Sequence, residues 1–426
     1  MKKTRKFIGL LLVVAVIVVC AVPAFAAKNY TPVDGGSCKF NKYLIMDAGD
    51  NVPNVTFSFT VAPGNARAAS AKAMQVLAGV GTPTVTDVTF SSSDTTATTA
   101  GTNIDVARQA SDRAAGLTAE TGVQLETGEK YATKQATVDF SSVKFTEPGI
   151  YRYIITETPS KEHETAGIMH DNDTDRVLDV YVTDKDGSLV VSGYVLHKDD
   201  ADVKNNATKG SGDVTSTGTA LDDKTDGFTN EYNSKDLVFK KEVTGNQASH
   251  DKYFEFTVTV TGLTDADTFT VSLANDNDTN TTDGDADATS GSNDATIPAN
   301  QNKTNPTSVT GAALKNGVKF YLQHGQSIAI RGLAPNANYT VTENAEDYNS
   351  TPKAVTGYTD NTSGEIGTEA GDKKAVMTSY QNQRDGAIPT GILTVIAPAV
   401  AVILLAGIGL TVVLVSKRRR AEDAAE

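Results

Sequence analysis

Cysteine and histidine are scarce in this 426-residue chain, with two of the first and five of the second. Cys20 falls within an apolar N-terminal leader, which leaves Cys38 as the one thiol of the body. A single thiol cannot staple a chain internally, and so few soft ligands exclude zinc clusters, disulfide scaffolds and thiol redox chemistry. Basic charge is also short. Lys and Arg number 38 against 52 Asp and Glu, a formal net charge of -14. Lys2, Lys3, Arg5 and Lys6 sit at one end and Lys417, Arg418, Arg419 and Arg420 at the other, so the middle is more acidic still. Such a body repels phosphate, which excludes nucleic acid as a partner. No serine or cysteine stands in a hydrolytic motif. The histidines show no metal-ligand or triad spacing and read as surface residues, so neither a metal nor a cofactor is expected.

What is present begins with two addresses. Residues 1–26 carry basic residues, an apolar run from Ile8 to Val19, and Ala24-Phe25-Ala26 as a small-x-small cleavage pattern. This is the form of a secretory signal peptide. At the other end, 392–415 is apolar apart from two threonines, long enough to cross a bilayer, and is followed by a basic tail that favours the cytoplasm. Ile388-Pro389-Thr390-Gly391 stands directly before it. The whole 387–426 segment resembles the cell-wall sorting signal of Gram-positive surface proteins, in the hydrophobic-Pro-Thr-Gly variant of some pilins. That resemblance implies cleavage by a sortase between Thr390 and Gly391 and transfer of the Thr390 carbonyl to an amine. A plain turn leading into a transmembrane helix is the alternative.

Between the addresses the chain is rich in Thr, Val, Asp, Gly and Asn. Alternating runs recur at 55–61, 150–156 and 177–182, which is the pattern of strands with one face buried. The expected fold is all-β: two tandem immunoglobulin-like sandwiches at 27–234 and 235–386. Ala-rich stretches at 66–78 and 104–115 are expected to hold helical turns within a 62–135 insertion.

The division rests on an internal repeat. Four elements occur twice in the same order: Phe40-x-Lys42-x-Leu44 and Phe239-x-Lys241-x-Val243; Phe57-Ser-Phe-Thr-Val61 and Phe254-Glu-Phe-Thr-Val258; Tyr153-Ile-Ile-Thr-Glu157 and Tyr339-Thr-Val-Thr-Glu343; Phe228-Thr-Asn230 and Tyr380-Gln-Asn382. Residues two apart on a strand share a face, so Lys42 lies with Phe40 and Leu44, and Lys241 with Phe239 and Val243. Lys240 takes the opposite face and is expected in solvent. The same count turns Glu157, Glu343, Asn230 and Asn382 inward. Each half thus aims one Lys, one Glu and one Asn at its core, which is costly unless the three meet. A buried ion pair with a hydrogen-bonded Asn would satisfy them.

This repeated pattern resembles the pilin isopeptide-linkage domains of Gram-positive bacteria, particularly the streptococcal-type major pilins, whose sandwiches are CnaB-like. The resemblance rests on the Phe-x-Phe-Thr-Val strands, on 145–157, on 332–343 and on Phe228-Thr-Asn230-Glu-Tyr232. It implies a self-generated amide between Lys42 and Asn230, and between Lys241 and Asn382, assisted by Glu157 and Glu343 as the catalytic groups. A nonpolar site is expected to lower the Lys pKa and raise the Glu pKa, so that a proton passes between them and frees a nucleophilic amine. Each domain would act once, on itself, and would otherwise be a sortase substrate rather than an enzyme.

The expected function is that of a pilus shaft subunit, secreted, polymerised and anchored to the cell wall. Its partners would be a sortase, neighbouring subunits, peptidoglycan and a host surface ligand. A wall-anchored adhesin or a minor or basal pilin is the alternative. The resemblance also implies an acceptor lysine near the end of the first domain, for which Lys224 is the candidate, with Lys204 and Lys209 as rivals. The 276–287 loop has acids at calcium-loop offsets but lacks the central glycine, and reads as a solvated acidic loop or a weak calcium site.

Overall fold

The computed structural model describes residues 31–32, 36–69, 74–98, 103–104, 123–170, 174–198, 225–275, 303–353, 360–367 and 376–386. The signal peptide, the sorting signal with Ile388 to Gly391, the 392–415 span, the 276–287 loop and Lys204, Lys209 and Lys224 all lie outside these residues.

Among the described residues, nearly all of the regular secondary structure is strand. In order, the principal elements are β1 (Ser37–Asp47), β2 (Val55–Pro63), β3 (Val88–Phe90), β4 (Glu129–Asp139), β5 (Gly149–Thr158), α1 (Lys161–Thr165), β6 (Ile168–Met169), β7 (Asp175–Lys185), β8 (Ser188–Lys198) and β9 (Gly227–Tyr232). They continue as β10 (Lys235–Thr244), β11 (Phe254–Thr261), β12 (Thr268–Asn275), β13 (Ser308–Thr310), α2 (Gly311–Asn316), β14 (Val318–Leu322), β15 (Gln326–Leu333), β16 (Asn338–Asn344), β17 (Asn349–Pro352), β18 (Ser363–Glu365) and β19 (Val376–Gln383). The two helices among the described residues are short and capped by a hydroxyl, Ser160 accepting from the His163 amide and Thr310 from the Ala313 amide.

Two pairs of sheets form two cores. In the first, a sheet running β8–β7–β5–β2–β3 faces a sheet running β6–β9–β1–β4. In the second, β13–β12–β15–β10–β19–β17 faces β14–β11–β16–β18. Alternation builds both. Phe57 and Phe59 of β2 and Phe254 and Phe256 of β11 are buried, while Thr56 and Thr60 on either side of the first pair are exposed. Full burial of one such ring contributes about 1.5–3 kcal/mol. The first core gathers Phe40, Leu44, Phe57, Phe59, Tyr153, Ile155 and Phe228, and the second gathers Leu237, Phe239, Phe254, Phe256, Tyr339, Val341 and Tyr380.

The first and last strands of each half are neighbours and run parallel. In β1 and β9, Lys42 is paired with Phe228 and Leu44 with Asn230. In β10 and β19, Lys241 is paired with Tyr380 and Val243 with Asn382. The register is the same in both. Gly227 makes the first pairing possible, because a Cβ there would lie 1.8 Å from the Asn41 carbonyl oxygen.

The Ala-rich stretches do not form the helical turns expected of them where they are described. Arg67 bridges Val76 in an antiparallel pair, and Leu77–Ala78 runs as a short strand beside β5. β2 ends its pairing with β5 at Pro63, and the segment takes up the edge of β5 beyond that point, where Tyr153 holds Val80 at both of its backbone groups. Residues 105–115 lie outside the described residues.

Candidate functional site

Lys42 has no exposed surface, and its ammonium stands 4.3 Å from the centre of the Phe57 ring. Its Nζ donates to Oε2 of Glu157 at 2.6 Å. The other carboxylate oxygen, Oε1, accepts from Nδ2 of Asn230 at 2.6 Å. The three polar groups come from β1, β5 and β9 and meet inside the first core. Around them Phe40 packs on Phe59 and Phe228, with centroids 5.0 and 5.4 Å apart, and Phe59 packs on Phe228 at 5.3 Å. These rings exclude water and fix the strands that carry the polar groups.

The second core repeats the arrangement. Lys241 is wholly buried, its Nζ 4.6 Å from the Phe254 ring centre and 2.7 Å from Oε1 of Glu343. Asn382 Nδ2 donates to the same Oε1 at 2.8 Å. Phe239 packs on Phe256, and Phe256 on Tyr380, at 5.5 and 5.2 Å. Ring for ring these are the counterparts of Phe40, Phe59 and Phe228. The Tyr380 hydroxyl, which Phe228 lacks, donates to the Val341 carbonyl at 2.6 Å. Asn382 Oδ1 is buried and has no hydrogen-bond partner among the described residues. All six residues singled out from strand alternation therefore converge, three in each core.

Burial alone would raise the Glu157 carboxyl. The His170 hydrogen bond, the charge and hydrogen bond of Lys42, and the Asn230 amide outweigh it, and the carboxyl is held down to about 2. This is the reverse of the rise expected from a nonpolar site, because the carboxylate accepts from donors that a purely apolar wall would not offer. The resting state is thus an ion pair, and passing the proton from Lys42 to Glu157 is an uphill step. At Lys241 the expectation of a lowered ammonium holds. Burial dominates, the Glu343 charge offsets it only in part, and the ammonium is pushed down to about 8.

Two further residues touch the carboxylates, and neither was legible in the sequence. His170 follows β6, which pairs antiparallel with β9. Its Nδ1 lies 3.2 Å from Glu157 Oε1 and 3.1 Å from Asn230 Nδ2. Ser350 of β17 is the register partner of Asn382, and its hydroxyl donates to Glu343 Oε2 at 2.7 Å. Continuing the β6–β9 register by one residue sets His170 opposite Asn230, so the two occupy corresponding places. The surface reading of the histidines is therefore corrected for His163, His170 and His197, while His250 is exposed as expected. His163 and His197 are buried, the first against Phe57 and His170, the second 3.6 Å from Asp179. His163 Nε2 donates to the Thr56 carbonyl at 2.8 Å, and burial lowers its pKa, which keeps this ring neutral beside Lys42.

Lys240 is corrected too. It is 8 % exposed rather than solvated, because β10 is flanked by β15 and β19 with Ser327 and Ser379 as its register partners, and Glu242 lies 3.5 Å from its ammonium. Among the described residues no group of three or more His, Cys, Asp and Glu gathers as a metal site, and no helix is long and apolar enough to cross a membrane.

Chemically, each triad is an amine, a carboxamide and a carboxyl group held together in an apolar enclosure. A neutral amine there is a nucleophile, the amide carbon is its electrophile, and the carboxyl group can move the protons.

Comparison with known proteins gives the following. Residues 38–233 match the family described as the Spy0128-like isopeptide containing domain. Residues 235–383 match a family described only as a domain of unknown function. The chain is similar to a pilin of Streptococcus pyogenes serotype M1, 23% identical over 400 residues that cover 91% of this chain and 93% of that one. It is also similar to the crystal structure of the major pilin from Streptococcus pyogenes, with a TM-score of 0.45, 19% identity, and coverage of 83% of this chain and 100% of that chain. For the T-13 major pilin of the same species, serotype GAS131465, the TM-score is 0.42 and the identity 19%, over 84% and 100% of the two chains.

Proposed function

We propose that this chain, whose residues 38–233 match the Spy0128-like isopeptide containing domain, is a streptococcal-type major pilin and forms the shaft of a cell-surface pilus. In each half, at 27–234 and 235–386, the buried lysine displaces ammonia from the buried asparagine and welds the first strand to the last. Lys42 joins Asn230 and Lys241 joins Asn382, with Glu157 and Glu343 as proton carriers. The observation that supports this most directly is the duplicated convergence of amine, carboxylate and carboxamide between parallel first and last strands in one register.

The reaction needs no partner. Folding supplies the effective concentration, which for well-placed groups reaches on the order of 10⁵ M or more. The enclosure disfavours charge and so eases loss of the ammonium proton, most visibly at Lys241. Each bond closes a loop of well over a hundred residues and should stabilise by about 5 kcal/mol on the chain-entropy account of cross-links. It does so without oxidation, in a chain whose single body cysteine is buried and free.

Beyond the domains, a sortase would cleave between Thr390 and Gly391 and pass the Thr390 carbonyl to a lysine of the next subunit, with Lys224 as the candidate, and finally to peptidoglycan. The intact mass of the purified ectodomain tests the central point. It should fall short of the sequence mass by two ammonias, with Glu157→Ala and Glu343→Ala each restoring one. Full mass in well-folded protein overturns it. Covalent ladders from native cell walls that survive boiling in detergent are expected of a shaft subunit, whereas a single discrete band would point to the adhesin or basal reading.

A further inference from the structure

The place opposite the reacting asparagine is filled differently in the two halves, and the difference has chemical content. Asn230 Nδ2 is the nitrogen that must leave as ammonia. A primary amide nitrogen is a poor leaving group unless it is protonated as its bond to carbon breaks, so a proton donor within hydrogen-bond reach of it is what the step requires. In the first half, His170 Nδ1 lies 3.1 Å from that nitrogen and 3.2 Å from Glu157 Oε1. In the second half the corresponding residue is Ser350, whose hydroxyl is directed at Glu343 Oε2.

One ring nitrogen cannot serve both neighbours at once. With a proton, Nδ1 donates to Glu157; without one, it accepts from Asn230. Its position between carboxylate and leaving nitrogen is that of a relay. The other nitrogen, Nε2, is buried and has no hydrogen-bond partner among the described residues, so no contact there locks the ring into one tautomer. The groups facing the ring are Glu157 from β5, Asn230 from β9 and His163 from the turn of α1, its ring centre 5.1 Å away; Lys42 lies on the far side of Glu157. His163 holds its Nε2 proton on the Thr56 carbonyl and adds no charge.

We propose that His170 is a catalytic residue of the first domain, the acid that protonates the ammonia leaving Asn230. This rests on the amide-forming reading above. In the reactive state one proton of the Lys42 ammonium has passed by way of Glu157 to His170, leaving a neutral amine, a carboxylate and an imidazolium. The amine adds to Cγ of Asn230, so that the Nζ–Cγ bond forms and an electron pair of the carbonyl moves to Oδ1. Glu157 takes a second proton from Nζ. As the carbonyl re-forms, the Cγ–Nδ2 bond breaks and its electron pair takes the proton from His170. Ammonia departs, His170 is again neutral, and the proton on Glu157 leaves with ammonia as ammonium. In the second domain, Glu343 performs both transfers, and Ser350 holds it in place.

The test follows the ammonia lost from each domain over time. The full chain is made by cell-free synthesis, quenched in acid at intervals and digested, and the cross-linked and unlinked peptides of each domain are quantified by mass spectrometry. His170→Ala is expected to slow the first bond by about 10²-fold or more, the usual size of a general-acid contribution, and to leave the second unchanged. His170→Gln, which keeps hydrogen bonds but cannot relay a proton, should be as slow. Added imidazole should speed His170→Ala, whose ring site is partly open to solvent, and not His170→Gln. Circular dichroism and completion of the second bond verify that each variant folds. If folded His170→Gln forms its first bond at the wild-type rate, the ring only positions and the proposal is overturned. If the wild-type chain loses ammonia from neither domain, it is the underlying reading that fails.

Discussion

At Glu157 an amine, an amide and an imidazole compete for two oxygens, whereas at Glu343 the amine and the amide share one oxygen and a hydroxyl takes the other. The first triad should therefore respond to acid through its carboxylate when the proposed cross-link is blocked. Asn230→Ala removes the amide target but leaves the Lys42–Glu157 pair. His170 and Lys42 still hold the Glu157 carboxyl below its unfolded 4.5, though less far than with the Asn230 amide in place, so it contributes stability that is fully present above the unfolded value and lost as pH falls below it. The loss is measurable by urea titration between pH 5 and pH 2. Glu157→Ala is expected to lack this acid dependence. It strands the Lys42 ammonium in the core and costs about 3–5 kcal/mol throughout that range. Equal acid sensitivity in both variants would show that the carboxylate is not paired as described.

The strand pairing explains what could and could not be read in advance. Period-two alternation is a local property of β1, β5 and β9 and of their counterparts, so the inward direction of Lys42, Glu157 and Asn230 was legible from residues two positions away. His170 and Ser350 obey no such count. His170 follows the two-residue β6, and Ser350 lies in β17, whose four residues are all exposed as residues even though its hydroxyl reaches Glu343. Their roles come from the strand they face, which local pattern does not encode. Lys240 was misread for a related reason: alternation gives the face, but the neighbours in the sheet decide whether that face is open. The parallel approach of β9 to β1 depends likewise on one position. At Gly227 any side chain would meet the Asn41 carbonyl oxygen, so Gly227→Ala must push β9 away or shift its register, carrying Asn230 off Glu157. The expected outcome is loss or marked slowing of the first cross-link with the second intact, read from peptide masses. A normal first bond in this variant would mean that the register does not position the amide.

Across the whole molecule the two cores are joined by the two residues between β9 and β10 and by contacts beside them. Tyr232 donates to the Gly332 carbonyl at 2.6 Å, Asn51 to the Thr268 carbonyl, and Ser234 to the Asp50 carboxylate, while the Asn54 amide donates to Asp267. Asp50 is 3 % exposed; burial and the nearby Asp236 and Asp47 charges outweigh the Ser234 hydrogen bond and raise its carboxyl to about 8. The folded junction therefore binds a proton that the unfolded chain releases near 3.8, and stability falls as pH rises from about 4 to about 8. Asp50→Asn should flatten that slope in calorimetry. Tension along the chain takes a different route through the same junction. On the proposed cross-links it enters at β1, crosses from Lys42 to Asn230, follows β9 and β10 to Lys241, crosses to Asn382 and leaves along β19. Everything between Lys42 and Asn230, and between Lys241 and Asn382, is bypassed. Single molecules pulled from their ends should then show no unfolding step in either domain. Glu157→Ala should release the first domain alone, lengthening the chain by on the order of 600 Å at full extension, and Glu343→Ala the second, by about 500 Å. A wild-type chain that extends by either length would place its covalent path through the sandwich rather than around it.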